Sequence, residues 1–209
     1  MKVIVFGATG TVGKLFVENA LDGGHDVTAF ARTPSRIAIA HPRLTLRAGD
    51  ATKAAEVADA VRGHDAVVVT LGVGASRKNR IRSEGTRNII AAMQRHGVRR
   101  LICQTTLGAH ESWGNLNLFW KWIMFGVLLR PAFIDHELQE TLVRESGLDW
   151  TIVRPSAFTD GPEDGRFKVG FGPEERRLSL KISRADIARF LEGQLSDRGF
   201  MRRAVGISH

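Results

Sequence analysis

The chain has 209 residues, 43% hydrophobic and 25% charged, enough for one domain with a sizeable core and room for a small appended lobe. Its formal net charge of +8 is spread along the chain rather than massed in one tail or helix. That favours a basic surface around an anionic ligand over nucleic-acid binding, since no recognition helix or platform of stacking aromatics is visible. The one cysteine, Cys103, excludes an internal disulfide and suits a reducing compartment. Met1 runs straight into the first strand without a signal-peptide pattern, so the expected location is cytoplasmic.

Val3 to Phe6 is an unbroken apolar run and reads as a strand buried on both faces. Gly7, Gly10 and Gly13 follow at even spacing, and Lys14 to Leu21 has helical character. Strand, glycine turn and helix make a dinucleotide site: Gly7 permits the turn, Gly10 lets backbone N–H groups approach a pyrophosphate, and Gly13 lets helix and strand pack closely. Gly23 and Gly24 end the helix, and Asp26 to Ala31 alternates as a second strand. An NAD site would carry a carboxylate at the tip of this strand. The tip here reads Arg32, Thr33, Pro34, Ser35, Arg36. Two guanidinium groups and two hydroxyls suit a 2′-phosphate, so the expected cofactor is NADP(H).

Leu44 to Ala48 is a third strand. Asp50 after it can receive an adenine amino group or cap a helix starting near Thr52, or do both. Ala66 to Leu71 is a fourth, continuously apolar strand. Leu71, Gly72, Val73 and Gly74 would run under the ribose and nicotinamide, and the basic, polar loop Ala75 to Ile81 reads as mobile. Ser83 to His96 is a long helix ended by Gly97, and Arg100 to Thr106 is a fifth strand whose end carries hydroxyls. The alternation predicts an α/β fold: a doubly wound parallel sheet of Rossmann type, with helices on both faces.

Trp113 to Pro131 breaks the rhythm with a dense apolar run that is too short, and interrupted by Lys121, to cross a membrane. Three readings stand: a lid or wall over a planar substrate, a patch for a partner or membrane surface, or core packing. Phe133 to Ser146 is a helix, and Asp149 to Pro155 a sixth strand. A short strand at Phe167 to Phe171 and another at Leu178 to Ile182 follow; Ser183 caps a helix through Leu195, with Asp186 in its first turn, and Ala204 to Ile207 is the last strand.

The glycine turn Gly7 to Gly13, the stretch Ser83 to Asn88, and Glu145 to Pro155 together resemble the atypical short-chain dehydrogenase/reductases. The likeness covers nearly the whole chain. Within that group it is strongest to the NAD(P)H-binding branch of biliverdin-IXβ reductase/flavin reductase and the NmrA-like proteins. The resemblance implies that Thr9, Gly10, Thr11 and Val12 hold the pyrophosphate, Arg32 and Arg36 the 2′-phosphate, Asp50 and Ala51 the adenine, and Leu71 and Gly72 the nicotinamide side. It places Thr106 where the flavin reductase has a serine beside the hydride path, and brings Pro155 and Ser156 toward the nicotinamide. The family's histidine after paired prolines has no match, since Ser156 and Ala157 stand there.

Short-chain dehydrogenases of the usual kind move a proton with a Tyr–Lys pair, and this chain has no tyrosine. Reduction of a conjugated acceptor needs less: a hydride from the cofactor, a dry stacking face and a proton from water. Thr105 or Thr106 could hydrogen-bond a substrate carbonyl or the nicotinamide amide, or close locally on backbone. His136 and His110 are candidate proton donors or anion holders. The histidines are spread out and the cysteine is alone, so no metal site is expected. The expectation is an NADP(H)-dependent reductase of a planar, aromatic small molecule, flavin-like or quinone-like, as a monomer or small homo-oligomer. The alternative is an NmrA-like sensor that binds NADP(H) without turnover and acts through a protein partner.

Overall fold

The computed structural model describes residues 1–72 and 80–209. Val73 and Gly74, expected near the nicotinamide, and Ala75 to Asn79 of the loop expected to move lie outside the described residues.

The first strand, β1 (Lys2–Phe6), shows why there are two helical layers. Val3 and Val5 join one apolar cluster and Ile4 and Phe6 another, and all four are fully buried. Successive strand side chains point to opposite faces, so a run without polar gaps must be covered on both. On the first face α1 (Thr11–Asp22) contributes Phe16, Val17 and Ala20, and α5 (Arg184–Gly193) contributes Ile187 and Leu191. On the second lie Val57 of α2 (Ala54–Val61), Ile89 and Met93 of α3 (Ile81–His96) and Val143 of α4 (Arg130–Glu145). Cutting a fully buried ring such as Phe16 back to alanine costs about 3–5 kcal/mol.

The other strands are β2 (Asp26–Ala31), β3 (Leu44–Ala48), β4 (Ala66–Val69), β5 (Arg100–Gln104), β6 (Asp149–Pro155), β7 (Ala157–Thr159), β8 (Lys168–Val169), β9 (Lys181–Ser183) and β10 (Arg203–Ser208). An 8-stranded sheet runs in the order β3-β2-β1-β4-β5-β6-β10-β8, parallel except where β8 meets β10. The chain winds outward from β1 in one direction and from β4 in the other. A crevice therefore opens beyond the carboxyl ends of that central pair. This is the Rossmann-type architecture expected. A second, 2-stranded parallel sheet of β7 and β9 was not foreseen; Ser156 alone separates β7 from the end of β6.

Other departures are local. α3 begins at Ile81 rather than Ser83, because Asp135 of α4 accepts the backbone N–H groups of Arg82 and Ser83, at 3.1 Å each, and the Ser83 hydroxyl. A cap supplied by a helix distant in sequence leaves no local signature. Ser183 does cap α5, its hydroxyl oxygen accepting the Asp186 N–H at 3.0 Å. Residues 113–131 divide: Leu116 and Phe125 join Leu107, Phe133 and Leu180 in a small third core, whereas Leu118, Trp122 and Val127 stay exposed. Most of the segment is a π-helix, Phe119–Leu128, running into α4.

Candidate functional site

The loop after β1 is shaped by backbone. Gly7 has φ +92°, and a Cβ there would lie 2.5 Å from the Thr70 carbonyl oxygen. A Cβ on Gly13 would collide with the Gly7 carbonyl oxygen, so only glycine lets α1 start this close to β1. The first bond into α1 runs from the Lys14 N–H to the Gly10 carbonyl at 3.0 Å. The N–H groups of Thr11, Val12 and Gly13 therefore have no intrahelical partner. Among the described residues no side chain caps this end, and no acidic residue stands in its first turn. An anion is what such a helix start accepts.

Gly7, Thr9, Arg32, Asp50, Ala51, Leu71 and Gly72 line one cleft of about 210 Å³ at this point. The glycine cradle and the free N–H groups fit a nicotinamide dinucleotide. Asp50 Oδ1 accepts both the N–H and the hydroxyl of Thr52, at 2.9 Å each. The Thr52 N–H is the main reason its carboxyl sits below the ordinary range. Asp50 thus closes a turn ahead of α2 instead of capping a helix at Thr52; α2 starts at Ala54. Arg32 reaches the cleft wall, whereas Arg36 lies exposed on the short turn Pro34–Arg36, and Thr33 just before it, both outside the lining.

A second cavity, about 250 Å³, opens beyond β5 and β6. Its walls are Leu116, Trp120, Phe125, Leu129, Phe158 and Leu180, and its hydroxyls come from Thr106 and Ser156. Ser156 is buried, and its hydroxyl oxygen has no hydrogen-bond partner among the described residues. The Thr106 hydroxyl reaches the Leu107 carbonyl at 3.3 Å. Pro155 is buried, and its carbonyl accepts the Leu107 N–H at 2.9 Å. Two residues expected here are engaged elsewhere. Thr105 is buried and donates its hydroxyl to Glu140 at 2.7 Å, which ties the end of β5 to α4. The Nδ1 of His136 lies 3.3 Å from the Gln139 side-chain oxygen. Burial, reinforced by Arg82, pushes His136 down to about 3, so it is neutral near pH 7 and holds no acidic proton to give. His110 is exposed and bonds to the Glu137 carbonyl.

Sequence reasoning missed the buried charges that tie the ends of β5 and β6 to α4. Glu140 and Arg154 are both buried and paired twice, with Arg154 Nε to Oε1 at 2.9 Å and Nη2 to Oε2 at 2.5 Å. Glu111 bridges Arg154 at 3.1 Å to Arg144 at 2.8 Å. The cluster ties β6 to α4 and to the turn after β5, and so fixes the strand ends that carry Thr106 and Ser156. Arg154 in an apolar strand was the available signal: a buried guanidinium requires carboxylates. Arg82 is a second buried cation. It lies 3.7 Å from Asp135, and its Nε and Nη1 lack hydrogen-bond partners among the described residues.

The structure also brings Asp164, Asp186 and His209 together, with ligand atoms within 4.8 Å, although the sequence offered no metal spacing. Asp186 Oδ1 accepts the N–H groups of Asp164 and Gly165, and Oδ2 accepts the Ser183 hydroxyl. Its oxygens are committed to holding that loop on α5.

Comparison with known proteins agrees with this geometry. A model of the family described as NAD(P)H-binding matches residues 7–198. A 3-beta-hydroxysteroid dehydrogenase of Mycolicibacterium neoaurum is 38% identical over 113 residues, 48% of this chain and 31% of that protein. The chain thus spans about a third of that relative's length. Among solved structures, the oxidoreductase ylbE from Lactococcus lactis superposes with a TM-score of 0.85 at 19% identity, covering 100% of this chain and 91% of its own. ChuY, an anaerobilin reductase from Escherichia coli O157:H7, gives 0.81 at 24% identity, with 100% and 97% covered. At these identities the two structures show the shared fold. With its glycine turn, crevice and matched span, the chain belongs to the NAD(P)H-binding family, and its fold is the Rossmann type.

Proposed function

We propose that the chain is an NADP(H)-dependent reductase of a planar conjugated acceptor, flavin-like or quinone-like. The observation that carries this reading is the aromatic-walled cavity holding the Thr106 and Ser156 hydroxyls. β4 and β5 are adjacent and parallel. Gly72 beyond the one and Thr106 beyond the other therefore share the sheet edge where ligands of open α/β folds bind. When bound, NADPH supplies the hydride that reduces the acceptor by two electrons, and water supplies the proton. Trp120, Phe125 and Phe158 hold the acceptor flat and exclude water, and the Thr106 and Ser156 hydroxyls hydrogen-bond its carbonyl edge. With no tyrosine in the chain and a neutral His136, no side chain is needed as an acid in this scheme. Arg32 at the cleft wall favours the 2′-phosphate of NADP(H) over NAD(H). The ChuY neighbour is itself a reductase, which supports the class of reaction.

The test is NADPH oxidation with FMN, riboflavin and soluble quinones as acceptors. Turnover with one of them, lost on Thr106→Val together with Ser156→Ala while NADPH affinity holds, is the expected result. Tight NADPH binding with no turnover across the panel would overturn it in favour of a non-catalytic sensor.

A further inference from the structure

The π-helical segment leaves a large apolar surface uncovered. Leu118, Trp122 and Val127 are 73%, 69% and 71% exposed. Phe119, Ile123 and Leu128, also exposed, are each one position further on. The wide i→i+5 turn stacks residues four or five apart, so these six form two neighbouring rows on one side of the segment. α4 packs against it and adds exposed Ile134 and Leu138. Large exposed apolar patches mark docking sites.

Charge identifies the occupant. Residues 112–134 contain Lys121 and Arg130 and no Asp or Glu, in a chain of net charge +8; of the acids that follow before Leu138, Asp135 is buried against Arg82 and Glu137 is half-buried. A second copy seated on the same face would bring two sets of Lys121 and Arg130 together with no carboxylate in the 112–134 stretch to meet them. An acidic bilayer surface offers opposite charge over an apolar interior, which suits tryptophan beside lysine.

We propose that the π-helix and the start of α4 seat on an anionic membrane surface. Trp120, Phe125 and Leu129 of the same stretch line the cavity of Thr106 and Ser156. A lipid-soluble acceptor such as a quinone can then reach it without crossing bulk water; this consequence rests on the reductase reading, whereas the seating itself does not.

The full chain, without cofactor or acceptor, is sedimented with phosphatidylcholine vesicles, with and without phosphatidylglycerol. Partition into the anionic vesicles is expected, weakened by salt and accompanied by a blue shift of tryptophan emission. Trp122→Ser with Val127→Asn should abolish it, and Lys121→Glu with Arg130→Glu should weaken it roughly tenfold or more, both with unchanged thermal midpoints. Absence of binding to anionic vesicles overturns the proposal. So does binding that ignores the charge reversals, or a dimer in gel filtration that Trp122→Ser with Val127→Asn dissociates, since that gives the face to a second copy. Vesicle binding without turnover would leave the seating and reject the reductase reading; turnover without vesicle binding would do the reverse.

Discussion

At the end of β1 the ligand-facing surface is backbone: Gly7 at positive φ, the free N–H groups of Thr11 to Gly13, and little side-chain bulk. At the ends of β5 and β6 it is side chains: Trp120, Phe125, Phe158 and two hydroxyls, on strand ends tied together by the Glu140–Arg154 pair. A backbone site tolerates almost any side chain that is absent, and almost none that is added. A side-chain site is the opposite, because each wall residue sets volume and polarity. The first kind keeps one ligand across many proteins, and the second lets the acceptor change. Fold-level likeness to dehydrogenases and reductases therefore speaks to the first cavity and says little of the second.

The largest expected effect tests what holds the side-chain half together. Arg154→Met leaves the buried Glu140 carboxylate with only Arg144, at 3.7 Å, and the Thr105 hydroxyl, and should lower stability by about 3 kcal/mol in denaturant unfolding. Arg154→Met with Glu140→Met removes both charges and should recover most of that loss. A single variant as stable as the parent would mean that apolar packing alone positions the strand ends.

Next in size is the backbone half. Gly7→Val forces a branched residue into positive φ and against the Thr70 carbonyl, and should weaken NADPH binding roughly 100-fold in a fluorescence titration. Folded Arg154→Met protein should bind NADPH like the parent. If the two variants weaken binding equally, the halves are not separable in the way their construction implies.

A smaller effect refines cofactor choice. Arg32→Glu should cut the preference for NADPH over NADH by roughly 10- to 100-fold, through loss of charge-assisted bonds and repulsion of the 2′-phosphate. Arg36→Glu, outside the cleft lining, should do less. Equal effects would show that the Pro34–Arg36 turn closes over the ligand.

The same contrast explains what could be read from the sequence. The apolar strands, the glycine spacing and the Ser183 cap are local patterns, and the structure carries all three. Thr9, Asp50 and Leu71 reach one cleft because strand order alone brings strand ends together. The engagement of Thr105 with Glu140 and the burial of His136 beside Arg82 were not legible, because both depend on how α4 docks, which no local pattern encodes. The 113–131 run has the composition of a core and of a surface, and it serves as both, since π-helical spacing turns Phe125 inward and Trp122 outward.

The smallest effect lies in acid. Burial raises the Glu111 carboxyl, but bonds from Arg154, its own backbone N–H and Arg144 outweigh this and take it down to about 2, from an ordinary 4.5. A carboxyl depressed on folding adds stability above its unfolded value and loses it as pH falls through its folded value. The parent should therefore lose this contribution between about pH 4.5 and pH 2. Glu111→Gln should be slightly less stable at neutral pH, modestly so because Glu111 is half exposed, and the gap should close as the pH drops through that window. Denaturant midpoints measured down the pH scale read the gap directly. A gap that persists unchanged would mean that Arg144 and Arg154 hold the turn after β5 through packing of their stems rather than through charge, and the second cavity would then owe its shape to apolar contacts throughout.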